Sequence, residues 1–192
     1  KNINDETLFF THSTGKSITS YIVGHAICEG YISSIDEIID WPMMSETLYQ
    51  GQRLRDLLNM RAGDQHIVYK NSSYIKGSDS HHRHMDLEQI AVFLKGSKKR
   101  GNEVFYNNFL SDVIANYIAF KSGDNYDELM RSIFQDKVKI KYSISYEKHP
   151  TLIDKPHSTQ ASYSYHMTRT DFLRLAVAMM KDYQNQTCVG KY

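Results

Sequence analysis

Ser13-Thr14-Gly15-Lys16-Ser17-Ile18-Thr19-Ser20 leads into a stretch that stays apolar through Tyr21, Ile22, Val23, Ala26, Ile27 and Cys28 and stops at Gly30. Ile18, Tyr21, Ile22, Ala26 and Cys28 are apolar, and Val23 and Ile27 fall on the remaining faces, so the spacing predicts a helix from Ser13 to about Glu29 that is buried on most sides. Gly24, in its middle, leaves room for a neighbour to approach closely.

The helix start carries chemistry. Ser13-x-x-Lys16 places a hydroxyl and an amine at i and i+3, on one helix face. A serine hydroxyl is a poor nucleophile until a base removes its proton. A lysine among apolar groups loses part of its preference for the charged form and can serve as that base. The motif alone is not specific, since Ser73-x-x-Lys76 and Ser145-x-x-Lys148 match it too. Its structural alternative is a capping serine followed by a solvated lysine. Gly15-Lys16-Ser17 also imitates the end of a phosphate-binding loop, but the position where that loop needs its first glycine is Phe10, which speaks against nucleotide binding.

Thr7 to Phe10 reads as a short strand. Trp41-Pro42 breaks the chain, and Leu54 to Met60 is a short amphipathic helix ending near Gly63. Residues 64–85 read as a long polar loop, and Asp86 opens a helix to Lys95. Leu110, Val113, Ile114, Tyr117 and Ile118 have helical spacing within Phe109 to Phe120, and Asp124 caps a further helix to about Phe134. Val138, Ile140, Tyr142, Ile144 and Tyr146 alternate with polar residues as in a half-buried strand, and Tyr163, Tyr165 and Met167 form a partner for it. Thr168-x-x-Asp171 is a capping box for a helix over Phe172 to Met180. The fold class is therefore α+β, mostly helical with little strand.

The composition sets bounds on function. The 192 residues are 41% hydrophobic, 12% aromatic and 23% charged, enough for one core, and nothing marks a second domain. A net charge of +1 favours neither nucleic acid nor anionic membrane as partner, and no stretch is long and apolar enough to span a bilayer. Cys28 and Cys188 are too few and too far apart to make a disulfide framework; Cys28 reads as a small core residue. His81, His82 and His84, with Asp79 and Asp86, could ligate zinc, but in a polar loop with two adjacent histidines they make a poor site, so neither metal nor cofactor is expected.

Four ordered segments give the Ser13 motif its context. Ser13 to Ser20 with Val23-Gly24 and Glu29 to Ile32, then Leu54-Arg55-Asp56-Leu57-Leu58-Asn59-Met60-Arg61-Ala62-Gly63, then Gly101 to Asn108 followed by Ser122-Gly123, then Thr168-Arg169-Thr170-Asp171-Phe172, together resemble the penicillin-recognising serine hydrolases. Within them the chain looks most like class C β-lactamase relatives, including esterases and aminohexanoate-dimer hydrolases.

The resemblance implies an acyl-enzyme mechanism on a small-molecule amide or ester. Ser13 would be the nucleophile, Lys16 its base, Tyr106 a partner in proton transfer and Asn108 a hydrogen-bonding group for Lys16 or the substrate. Tyr-x-Asn also occurs at Tyr69-x-Asn71 and Tyr183-x-Asn185, and structurally Tyr106 could be a core aromatic and Asn108 a helix cap.

Three departures qualify this. The family's late-strand Lys/His-x-Gly motif is missing, most of the central antiparallel sheet is missing, and Arg61-Ala62 stands where a small hydroxylated residue is usual. Residues 1–192 are thus expected to form a single partial domain: a fragment, nearly inactive alone. The alternative function is a non-catalytic binding relative. The resemblance implies a periplasmic location, while a cytoplasmic one stays open.

Overall fold

The computed structural model describes residues 3–65, 91, 92, 94–142, 144–149 and 160–192, with backbone alone for 145–149 and 160–164. Strand β1 is Phe9–Phe10, helix α1 Gly15–Cys28, α2 Leu54–Leu58, α3 Asn108–Ser122 and α4 Tyr126–Arg131. Strands β2 (Ile144–His149) and β3 (Gln160–Met167) follow, then helix α5 (Arg169–Gln184). The sheet is antiparallel in the order β1-β3-β2, with Phe9 opposite Met167 and Tyr146 opposite Tyr165. Its middle strand runs straight into α5, where the Thr168 hydroxyl accepts from the Asp171 backbone N–H at 3.2 Å, as the capping box requires.

Helix α1 lies at the centre. Ile18, Tyr21, Ile22, Val23, Ala26 and Ile27 are all buried, because α1 packs on α3, β3 and the carboxy-terminal turn Val189–Lys191. Gly24 is the point of closest approach: a Cβ there would stand 3.1 Å from Val189 Cγ1. Helix α3 contributes Phe109, Leu110, Val113, Ile114, Tyr117 and Ile118 to the same core.

The structure departs from the sequence reading in several places. The α-helix begins at Gly15, and Ser13 sits in a separate 3₁₀ turn, His12–Thr14, ahead of it. The helix expected up to Phe134 becomes α4 followed by a π-helical turn, Ser132–Lys137. Strand β2 starts at Ile144, so Val138, Ile140 and Tyr142 are not in it despite their alternation. The backbone N–H groups of Lys141 and Tyr142 are taken by the two oxygens of the buried Asp171 carboxylate, at 2.7 and 3.1 Å, and are withdrawn from a sheet ladder.

Cys28 is not a plain core residue but is bonded to Cys188, 160 positions away, joining the end of α1 to the segment after α5. Sequence distance is no guide to such a pair once the turn after α5 packs against α1. The expected helix from Asp86 to Lys95 and the zinc candidates His81, His82, His84, Asp79 and Asp86 fall largely or wholly outside the described residues, as do Ser73, Lys76, Tyr69 and Asn71. Among the described residues no helix is long and apolar enough to cross a membrane, and no three His, Cys, Asp or Glu side chains are grouped to hold a metal ion.

Candidate active site

The chain reaches Ser13 from the sheet. Thr11, buried at the end of β1, receives the Tyr165 backbone N–H on its hydroxyl at 3.2 Å and donates its own N–H to the Tyr165 carbonyl at 2.9 Å. The 3₁₀ turn then exposes Ser13, and α1 begins with Gly15 and Lys16. The N-cap position of α1 is Thr14, so the Ser13 hydroxyl is not spent on capping.

It meets Tyr106 instead. The Tyr106 hydroxyl donates to Ser13 Oγ at 2.7 Å, across 93 residues of sequence. Lys16 Nζ lies 4.8 Å from the centroid of the same tyrosine ring, within cation–π range. Three of the four residues singled out from the sequence therefore share one locus. Tyr106 is 58% exposed, which removes the core-aromatic reading of it. Asn108 is the first residue of α3 and half-buried; the cap of that helix is Asn107, whose side chain accepts from the Phe109 N–H at 2.9 Å. The capping role open to Asn108 thus belongs to its neighbour.

Residues the sequence did not single out hold Tyr106 and Asn108 in place. Asn107 also donates its amide to Asp64 at 2.7 Å, and the Tyr49 hydroxyl donates to the same carboxylate oxygen at 3.0 Å. Asp64 is fully buried, and burial pushes its carboxyl above the ordinary range, with the bonds from Asn107 and Tyr49 opposing that shift. Alongside, the Phe105 N–H bonds to the Met60 carbonyl at 2.9 Å and the Arg100 N–H to the Gly63 carbonyl at 3.1 Å.

Gly63, with φ +67°, has no room for a side chain there: a Cβ would stand 2.8 Å from the Arg100 carbonyl oxygen. The segment after α2 is thus the backing plate for the extended stretch that delivers Tyr106. In the sequence Asp64 shows only as an acidic residue directly after a glycine-terminated helix, a pattern shared with ordinary solvated turns.

The remaining copies of the motifs lie elsewhere. Ser145-x-x-Lys148 runs along strand β2, not a helix face, and Tyr183-x-Asn185 sits at the far end of α5.

No protein-family model and no curated protein matches the sequence. Solved structures do. A class C β-lactamase in complex with cefoxitin superposes with a TM-score of 0.66 at 15% identity, covering 99% of this chain and 56% of that one. The chain has the class C β-lactamase fold. A class C β-lactamase from Rhodobacter sphaeroides gives 0.63 at 15% identity, with 100% and 56% covered. A D-stereospecific amidohydrolase from Streptomyces gives 0.59 at 15% identity, with 92% and 62% covered. The chain spans a little over half the length of these structures. Among the described residues, a three-stranded sheet against a largely helical remainder is the mostly helical part of this α+β fold, without much of the central sheet.

Proposed function

We propose that the chain carries the nucleophile half of a serine hydrolase that forms an acyl-enzyme on a small-molecule amide or ester. The observation that carries this reading is the 2.7 Å contact between Tyr106 and Ser13, with the Lys16 amine against the same ring. Ser13 Oγ attacks the carbonyl carbon; its proton passes to the Lys16–Tyr106 pair and from there to the leaving group. Water then releases the acyl group by the reverse route. The Ser13 backbone N–H serves as one oxyanion donor. Asn108, at the start of α3, lies close in sequence to Tyr106 and is assigned to hold the substrate amide or the Lys16 amine.

In proteins of the resembled family the second oxyanion donor stands beside the Lys/His-x-Gly motif, which these residues do not include. Loss of one such donor lowers rates by about 10²–10³. Acylation by an activated reagent is therefore expected to be measurable, and turnover slow.

The test is intact-protein mass after incubation with a fluorophosphonate and, separately, with a β-lactam. One adduct located at Ser13, and absent in Ser13→Ala, upholds the reading. Equal labelling of Ser13→Ala overturns it, and the absence of any adduct favours the non-catalytic binding relative.

A further inference from the structure

His12, directly before Ser13, has φ +46°, in the left-handed region that side chains other than glycine seldom enter. Histidine is among the residues that tolerate it best, yet a strained residue persists only where its surroundings hold it. The surroundings here are specific. On the amino-terminal side, Thr11 is locked to Tyr165 by two hydrogen bonds. On the carboxy-terminal side, the Gly15 N–H bonds to the carbonyls of His12 and Ser13, closing the 3₁₀ turn. The imidazole itself packs edge-on against Phe10, with ring centroids 4.6 Å apart at 73°. Phe10 in turn lies 5.0 Å from the His166 ring, its partner across the β1–β3 pairing.

We infer that His12 is the positioning residue for Ser13: its left-handed backbone, held between the Thr11–Tyr165 bonds and the 3₁₀ turn, directs the chain off the sheet so that Ser13 Oγ arrives at the Tyr106 hydroxyl. The role is conformational. The imidazole exchanges no proton with the substrate; the backbone direction at His12 does the positioning. This rests on the reading of Ser13 as nucleophile and extends it to what aims the hydroxyl.

The experiment separates backbone from imidazole. Four variants, His12→Gly, His12→Asn, His12→Ala and His12→Val, are compared with the parent by the rate of fluorophosphonate labelling at Ser13, with folding checked by circular dichroism. Glycine enters the left-handed region freely and asparagine readily, alanine less so, and β-branched valine worst. Labelling is expected to stay within about twofold for Gly and a few-fold for Asn, to fall several-fold for Ala and tenfold or more for Val.

A Gly variant as slow as the Val variant means the imidazole itself is required, and four equal rates mean the conformation is irrelevant; either overturns the inference. Should the Val variant not fold, the Gly-to-Ala ratio decides. A parent chain that takes no label removes the nucleophile reading instead. His12 is then judged on the Tyr106 Cζ chemical shift, which reports the bond to Ser13. Its retention in His12→Gly and change in His12→Ala uphold the inference, and identical shifts in both overturn it.

Discussion

The Asn107 amide donates to the buried Asp64 carboxylate at 2.7 Å, and the two residues flanking Asn107 are Tyr106 and Asn108. The side chain between them is therefore tied down, while Tyr106 is left to reach toward solvent and Ser13. Asp64→Ala orphans two buried donors, Tyr49 Oη and Asn107 Nδ2, at about 1–3 kcal/mol each. Urea melts should show a loss of that order, and labelling of Ser13 should fall while the variant is still folded.

Asp64→Asn retains an acceptor and removes the charge, and its pH behaviour is diagnostic. Burial raises the Asp64 pKa in the folded chain, so its contribution to stability is present below the unfolded aspartate pKa of about 4 and is lost as pH rises through the folded value. The variant should thus gain on the parent as pH rises above about 4. A difference independent of pH would show that Asp64 ionises normally.

Tyr106→Phe keeps the ring beside Lys16 and removes only the hydroxyl. With the side chain largely exposed, the melting midpoint should hardly move. Labelling of Ser13 should drop by about 10²–10⁴, the usual worth of a proton-transfer group. A variant that labels at the parent rate would leave the 2.7 Å contact without a chemical role.

Much of the fold was legible in the sequence, for identifiable reasons. The helical spacing of Ile18 to Ile27 and of Leu110 to Ile118 survives in α1 and α3 because both helices are buried on several sides, where packing and pattern agree. The alternation of Tyr163, Tyr165 and Met167 likewise matches β3. Val138 to Tyr142 alternate equally well but are not strand, since Asp171 captures two of the backbone donors the ladder would need. Asp64 was illegible for a related reason: its partners, Tyr49 and Asn107, come from opposite directions in sequence, and a single carboxylate announces neither. The left-handed conformation of His12 has no sequence signature beyond its residue type.

Cys28 and Cys188 supply a prediction about compartment and stability. Their Cα atoms are 5.9 Å apart, and the bond closes a loop of 160 residues. Disulfides persist where the surroundings are oxidising, so the pair favours an exported setting such as the periplasm. By chain-entropy reasoning a loop this long is worth about 4–5 kcal/mol, with measured values commonly lower. Cys28→Ser with Cys188→Ser should lower the urea midpoint accordingly, and thiol titration of the untreated parent under denaturing conditions should find no free sulfhydryl. Two free thiols in protein kept from reductant would remove both claims.

His25 gives the fold a pH dependence of its own. It is buried in α1, edge-on to Tyr21 with ring centroids 4.7 Å apart, and its Nδ1 is 3.8 Å from the Glu29 carboxylate. Burial lowers its pKa from 6.5 to about 4; the Asp182 charge opposes this shift and the Lys137 charge adds to it. A histidine depressed in the folded state contributes stability that is present above the unfolded pKa, near 6.5, and is lost as pH falls toward 4. A shift of that size corresponds to about 3 kcal/mol.

The carboxylates act lower. Desolvation alone would raise Glu37, but hydrogen bonds from the Ser33 backbone, Tyr117, Lys121 and the Ser33 hydroxyl hold it near 2, so its contribution fades only as pH falls below the usual carboxylate range. The two effects therefore occupy separate windows. His25→Phe keeps a ring against Tyr21 and removes the proton site, so the stability of the variant relative to the parent should rise as pH falls from 6.5 to 4, while the carboxylate loss at lower pH remains. An NMR titration placing the His25 pKa near 6.5, or parallel stability profiles for parent and variant, would defeat this account.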